Sequence, residues 1–278
     1  MTLTQKTLDL YRGYLAQRER GRATVDKYLR DVRDFACWLG GRELTKEAAA
    51  AWKAELLRRG RAPSTVNAAL AALNGLFRFL NREDCRLSFL RLQRRAFRDQ
   101  SRELTREEYT RLVGAARSLG RERLALLLET FGGTGIRVSE ARYITAEAAR
   151  RGRAEISLKG KIRTILLPAK LCRKLLQYAK ARGITGGPVF RARTGRPLSR
   201  RQIWAEMKAL CAAARVDPKK VFPHNLRHLF AVTFHRACRD VVKLADVLGH
   251  SSIETTRVYL MTTEKEHRRQ LDRLRLVS

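Results

Sequence analysis

Through the first eighty-odd residues, apolar side chains recur at intervals of three and four, and glycines cut the pattern into pieces. Val25, Tyr28, Leu29, Val32, Phe35 and Leu39 fall on one face of a segment that Gly40-Gly41 stops. Ahead of it, Leu8, Tyr11 and Leu15 share a side of a segment from Thr4 to Arg20, closed by Gly21. After it, Thr45 starts a third segment ending near Gly60. Ser64, following Pro63, is expected to cap a fourth, with Val66, Leu70, Leu73, Phe77 and Leu80 in line. Stripes of this kind are buried only against one another, so residues 1–85 are expected to form a compact four-helix module.

Residues 86–102 change character. Arg86, Arg91, Arg94, Arg95, Arg98 and Arg102 are spread through a stretch of weak periodicity, which reads as a basic linker. A second domain is then expected over 103–278. Thr105 and Glu108 have the spacing of a capping box at the start of a helix to about Ser118. Arg121 to Phe131 reads as a buried helix, followed by Gly132-Gly-Thr-Gly-Ile-Arg137-Val-Ser-Glu140. These glycines are not a phosphate-binding P-loop, because Gly-Lys-Ser/Thr does not follow them. A tight turn that delivers Arg137 to a helix start fits better.

Period-two alternation appears once, in Ala154 to Leu158 and Ile162 to Leu167, and predicts a hairpin around Lys159-Gly160-Lys161. Helices are expected from Pro168 to Arg182 and Ser199 to Arg215, with a short strand at Val189-Phe190 between them. The charged run Glu264 to Leu276 carries Leu271, Leu274 and Leu276 and reads as an amphipathic tail. The fold class is therefore mainly α with a small antiparallel β-sheet.

Charge narrows the partner. Lys and Arg number 59 against 27 Asp and Glu, a net of +32 spread along the chain, beside an ordinary apolar content of 44%. That balance points to a folded protein with a polyanionic partner, most plausibly nucleic acid, and the cations Arg22, Lys27, Arg30, Lys46, Lys53, Arg58, Arg59 and Arg61 of the first module are expected to face phosphates. A ribosomal or membrane-surface protein is the alternative from composition alone. No apolar run nears the roughly 20 residues of a membrane span, and no signal-peptide core opens the chain, so a cytoplasmic location, on nucleoid DNA, is expected. Cys37, Cys85, Cys172, Cys211 and Cys238 have no metal-ligand spacing and read as small core residues in a reducing compartment.

Cations gather again near the end. In Phe222-Pro-His224-Asn-Leu-Arg227-His228, a helix start would put His224 and Arg227 on one face, suited to hold an anion. A helix from Val241 to Leu248, a turn at Gly249-His250 and a new helix capped by Ser251 and Glu254 then lead to Tyr259, about two turns in. A phenol attacks a phosphodiester usefully only when one group takes its proton and another neutralises the phosphate. Arginine does the second task with a planar fork that matches two oxygens, and histidine can donate or move protons.

Thr-Gly-Ile-Arg137-Val-Ser-Glu140, Lys159 in the hairpin, His224-Asn-Leu-Arg227-His228, Leu-Gly-His250 and Tyr259 stand in the order and approximate spacing of the tyrosine recombinase/integrase family, which the chain resembles over nearly its whole length. The resemblance implies an N-terminal SAM-like core-binding domain and an α+β catalytic domain, as in compact Xer-type and mobile-element integrases. It implies that Arg137 and Arg227 clamp the scissile phosphate, that His224 and His250 hydrogen-bond it, that Lys159 protonates the leaving 5′ oxygen and that Tyr259 forms a 3′-phosphotyrosyl link. Glu140 would support the site. Neither a metal nor any other cofactor is implied. The expected partners are double-stranded DNA, a homotetramer on two DNA sites, possible accessory directionality proteins, and no membrane. Lys161 rivals Lys159, and Asn225 stands where the family often has Asp.

Three other readings compete. A DNA-binding regulator accounts for the charge and for a helix-turn-helix around Gly249, but not for Arg137, His224, Arg227 and Tyr259 together. A zinc enzyme could use His224 and His228, four apart, yet Asn225 occupies the position of the expected glutamate and no third ligand is evident. A topoisomerase would share the chemistry and lack exchange between two sites.

Overall fold

The computed structural model describes residues 2–92, 100–158, 161–250, 252–260 and 264–274. The chain divides into two compact units, Met1–Arg94 and Arg95–Ser278.

The first unit is built from helices α1 (Gln5–Gln17), α2 (Arg22–Leu39), α3 (Lys46–Arg58) and α4 (Pro63–Phe79). Their starts and stops follow local chemistry. Thr4 and Thr45 accept hydrogen bonds from backbone N–H groups three residues on, and Gly40 ends α2 in the left-handed conformation. Two expectations need correction. Helix α1 stops at Gln17 rather than continuing to Arg20, and α4 starts one residue before Ser64, with Ala62 as its cap and Pro63 in the first turn. Proline has no N–H to leave unpaired there, so it displaces serine from the cap. The apolar stripes meet in a core of Tyr11, Val32, Phe35, Trp52, Leu70 and Phe77.

The start of the basic stretch is fastened to this unit. Asn74 exchanges two hydrogen bonds with the backbone of Leu87, each 2.9 Å, and Asn67, two turns earlier, does the same with Leu90. Lys53 donates to the Ser88 carbonyl at 2.7 Å. Of the cations expected to face phosphates, Lys27 is paired with Asp31, and Arg58 and Arg59 share Glu55.

In the second unit, α5 (Arg106–Ser118) opens with the expected capping box of Thr105 and Glu108. It packs on α6 (Glu122–Thr134), which runs three residues past its expected end because Gly132, Gly133 and Thr134 stay helical. The turn is made by Gly135 alone, at φ +63°, where a Cβ would run into the Phe230 ring. A 3-10 turn, Val138–Tyr143, leads to α7 (Ala146–Arg151) and to the hairpin of β1 (Arg153–Leu158) and β2 (Lys161–Leu166), paired from Arg153 with Leu166 to Leu158 with Lys161.

Helices α8 (Ala169–Ala181), α9 (Arg200–Lys208) and α10 (Cys211–Ala214) follow. The helix expected over Ser199–Arg215 is thus broken into two, and Val189-Phe190 form no strand, lying between isolated bridges at Pro188 and Arg191. The last elements are α11 (Pro223–Cys238), α12 (Val241–Leu248), α13 (Ile253–Arg257) and α14 (Glu264–Leu274). On α14, Leu271 and Leu274 are 53% and 58% exposed, so its apolar side is unpacked there. Among the described residues, no helix is long and apolar enough to cross a membrane. Cys85, Cys172 and Cys211 are buried as expected, whereas Cys37 and Cys238 are exposed.

Candidate active site

Pro223 occupies the first turn of α11, so His224 and Arg227 follow at the helix start. Asn225 points away from them. Its Nδ2 donates to the carbonyls of Arg102, at 2.6 Å, and Lys220, at 2.7 Å, and so anchors the start of the helix. Arg227 is only 2% exposed. Its guanidinium donates to the Gly135 carbonyl at 2.6 Å, to the Leu248 carbonyl at 2.8 Å and to His250 Nε2 at 2.7 Å.

Arg137 caps the 3-10 turn. Its backbone N–H donates to Glu140 Oε2 at 2.7 Å, and its guanidinium reaches Glu140 Oε1 at 3.0 Å and the Gly249 carbonyl at 3.3 Å. Glu140, 2% exposed, also receives Arg163 at 2.7 Å. Arg163 donates to the Leu248 carbonyl as well. Three arginines from three different elements therefore converge on the turn between α12 and α13. Gly249 in that turn is left-handed at φ +62°, and a Cβ there would meet the Arg163 side chain.

Tyr259 is brought to the same place. It is 5% exposed and packs with Ala231, Leu244 and Leu248, beside the partly buried Phe230, Phe234 and Leu260. Its ring lies 6.0 Å from that of His224, 5.3 Å from His228 and 5.9 Å from His250, nearly parallel to the last at 13°. His250 Nδ1 lies 2.8 Å from the Thr256 hydroxyl.

The field in this cluster is set by three guanidinium groups against one carboxylate. Burial pushes the His250 pKa down to about 4, and Arg227, Arg137, Arg163 and His224 add to the shift. Burial and then Arg227 lower that of His224. Arg227 is lowered by burial and the charge of Arg137, with Tyr259 opposing; Arg163 is lowered by burial, with Glu140 opposing. A group of cations held this way is stabilised by an incoming anion.

Arg137, His224, Arg227, His250 and Tyr259 thus come together. Lys159 lies outside the described residues; Lys161 places its backbone at the start of β2, and nothing is described of its side chain. Ser251 also lies outside them, and α13 is capped by Ser252, whose hydroxyl accepts from the Glu254 N–H. Tyr259 is not two turns into a helix: α13 ends at Arg257, and the tyrosine sits in the turn beyond, its N–H bonded to the Thr256 carbonyl at 3.0 Å.

His228, named within its motif, pairs with Glu103 at 3.9 Å. Two members of the cluster escaped the sequence reading. Thr256, fully buried, holds His250. Arg163 joins Glu140 to the α12–α13 turn, and strand parity did carry a signal for it: 163, 165 and 167 share a face, and Ile165 and Leu167 are buried. An arginine on the inward face of a strand needs a partner.

Comparisons with known proteins place the chain in a family. The Phage integrase family model matches residues 102–266, and the model of the Phage integrase N-terminal SAM-like domain matches residues 8–84. The tyrosine recombinase XerA of Thermococcus kodakarensis is 28% identical over 287 residues, covering 100% of this chain and 98% of the relative. The tyrosine recombinase XerD of Xanthomonas campestris is 30% identical over 279 residues, covering 90% and 85%. Among solved structures, a lambda integrase tetramer bound to a Holliday junction superposes with a TM-score of 0.72 at 20% identity, covering 91% of this chain and 76% of that one. XerH bound to its difH substrate before cleavage gives 0.70 at 18% identity, covering 96% and 88%.

Proposed function

The chain belongs to the phage integrase family of tyrosine recombinases, and from that membership we propose how it exchanges DNA strands between two specific sites. Tyr259 Oη attacks the scissile phosphorus, the bond from phosphorus to the 5′ oxygen breaks, and the 3′ phosphate becomes joined to tyrosine. The phenolic proton passes to a neighbouring base, for which the histidines around the ring are the candidates. Lys159 gives the departing 5′ oxygen its proton. A 5′ hydroxyl from the second site then attacks the phosphotyrosine and restores the backbone. The covalent link conserves the energy of the broken bond, so the cycle needs no nucleotide hydrolysis.

Arg137 and Arg227 take the charge that develops on the non-bridging phosphate oxygens, with His224 and His250 donating beside them. Those guanidinium groups also donate to the carbonyls of Gly135, Leu248 and Gly249, beside which a charged phosphate oxygen is the stronger acceptor. Glu140 holds Arg137 from behind and takes no part in proton transfer.

The first unit reads as the core-binding domain, with residues 86–102 as the connection, and its exposed cations meet the phosphate backbone. Four protomers act on two DNA sites. The exposed Leu271 and Leu274 on α14 dock on a neighbouring protomer, and accessory proteins set direction. The enzyme works on nucleoid DNA in the cytoplasm.

One observation carries the reading: Arg137, Arg227, His250 and Tyr259 come from four separate stretches of the chain and meet around one tyrosine ring and one turn. The test uses pooled fragments of the source genome and a denaturing gel. Wild type is expected to give a slow band of protein joined to DNA, and Tyr259→Phe none. A Tyr259→Phe protein that still forms the adduct overturns the assignment.

A further inference from the structure

The two ring nitrogens of His250 have different partners, and these fix where the proton lies. Arg227 Nη2 is 2.7 Å from Nε2, and a guanidinium can only donate, so Nε2 carries the lone pair. The proton of the neutral ring is on Nδ1, which donates it to Thr256 Oγ1 at 2.8 Å. Under the proposed function the same Nε2 must present a proton to a phosphate oxygen. The ring therefore takes a proton at Nε2 to become the imidazolium, passes that proton to the phosphate oxygen and returns to the neutral form with Nδ1 still protonated.

The partner at Nδ1 has to tolerate that change. A carbonyl or carboxylate there accepts only, and favours forms with a proton on Nδ1. A backbone N–H or an ammonium donates only, and favours the form without one. A hydroxyl does both by rotating about its C–O bond. Thr256 is fully buried, so its rotor faces the ring without competition from bulk water. Its carbonyl meanwhile accepts the Tyr259 N–H at 3.0 Å, and the Tyr259 ring lies nearly parallel to that of His250. One residue thus holds both the imidazole and the nucleophile's backbone.

We propose that Thr256 is a positioning residue for His250, whose hydroxyl holds the imidazole in one orientation in both the neutral ring and the imidazolium, so that Nε2 passes from accepting Arg227 to donating to phosphate without the ring moving. The charged and titratable groups facing that ring are Arg227 and His224 from α11, Arg137 from the 3-10 turn, Arg163 from β2 and Tyr259, stacked beside it. The three arginines and His224 oppose a second proton until an anion enters. The inference rests on the reading of His250 as a phosphate donor.

The full chain, labelled with ¹⁵N-histidine and free of DNA, tests the tautomer; His250→Asn assigns the signal. Wild type and Thr256→Ser are expected to show a protonated Nδ1 and a bare Nε2. In Thr256→Val and Thr256→Ala, Arg227 still donates to Nε2, so the same tautomer is expected with the Nδ1 signal shifted by loss of its acceptor. On pooled genomic fragments, adduct yield should fall about 10- to 100-fold in Thr256→Val and Thr256→Ala and stay within about threefold in Thr256→Ser, with filter binding little changed. The pH profile of adduct formation should shift in the valine and alanine proteins only. A proton on Nε2 in the DNA-free wild type, or full adduct yield from both apolar variants, overturns the proposal. A wild type that forms no adduct removes Tyr259 as nucleophile and leaves the nitrogen spectra to decide the tautomer.

Discussion

Glu140→Gln is the substitution whose cost can best be worked from the structure. The carboxylate is 2% exposed and receives Arg137 twice and Arg163 once, all within 3.0 Å. Glutamine keeps the shape and removes the charge. Arg163, with 15% of its side chain exposed, then sits buried beside Arg137 with no carboxylate between them. Breaking a buried pair from one side costs about 3–5 kcal/mol. Arg137 is 42% exposed and its share is screened by water, so the lower end, about 3 kcal/mol, is expected. For a unit of 150–250 residues each kcal/mol moves the melting temperature by about 2–4 °C, so calorimetry of the full chain should show one transition lowered by about 6–12 °C.

A double substitution separates charge from shape. Adding Arg163→Met removes the stranded cation, so Glu140→Gln/Arg163→Met should be more stable than the two single effects added together predict, by about 1.5–3 kcal/mol. A Glu140→Gln protein that melts within about 2 °C of wild type, or strictly additive effects in the cycle, would refute the claim that this carboxylate offsets a buried cation.

Asn225→Asp exchanges two donated hydrogen bonds, to the carbonyls of Arg102 and Lys220, for acceptor facing acceptor; about 2 kcal/mol of stability should be lost in urea unfolding, and α11 should exchange amide hydrogens faster at its start. Gly135→Ala combines a left-handed backbone with a clash on Phe230 and should cost at least about 2 kcal/mol, read by the same method. The His250 pKa is lowered to about 4 from 6.5, so the unfolded chain binds a proton first as the solution is acidified. That contribution to stability is fully present above pH 6.5 and is lost as pH falls toward about 4. His224 is shifted in the same direction. Melting temperatures across that window should fall less steeply in His250→Asn than in wild type.

How much of this was legible in the chain depended on how local the deciding contacts are. Helix caps at Thr4, Thr45 and Thr105 join residues three apart, and their patterns were readable as written. The cap expected at Ser64 failed only because Pro63 competes for the same turn. The groups around Tyr259 were found because each sits in a short, chemically loaded motif, although the spacing said nothing of their distances. Arg163 and Thr256 had no such motif. Arg163 is one of 59 cations, and its importance comes from Glu140, 23 positions away, and from the Leu248 carbonyl, 85 away. Thr256 is an ordinary helix residue until the chain turns His250 back over it, six positions earlier. The groups expected to touch phosphate are thus marked in the sequence by their own chemistry, whereas those that orient them are marked only by what the fold puts beside them. A search for further positioning residues in this chain should therefore begin from inward strand positions and buried hydroxyls, where a polar side chain has to be paired, and not from cation-rich runs, where pairing is optional.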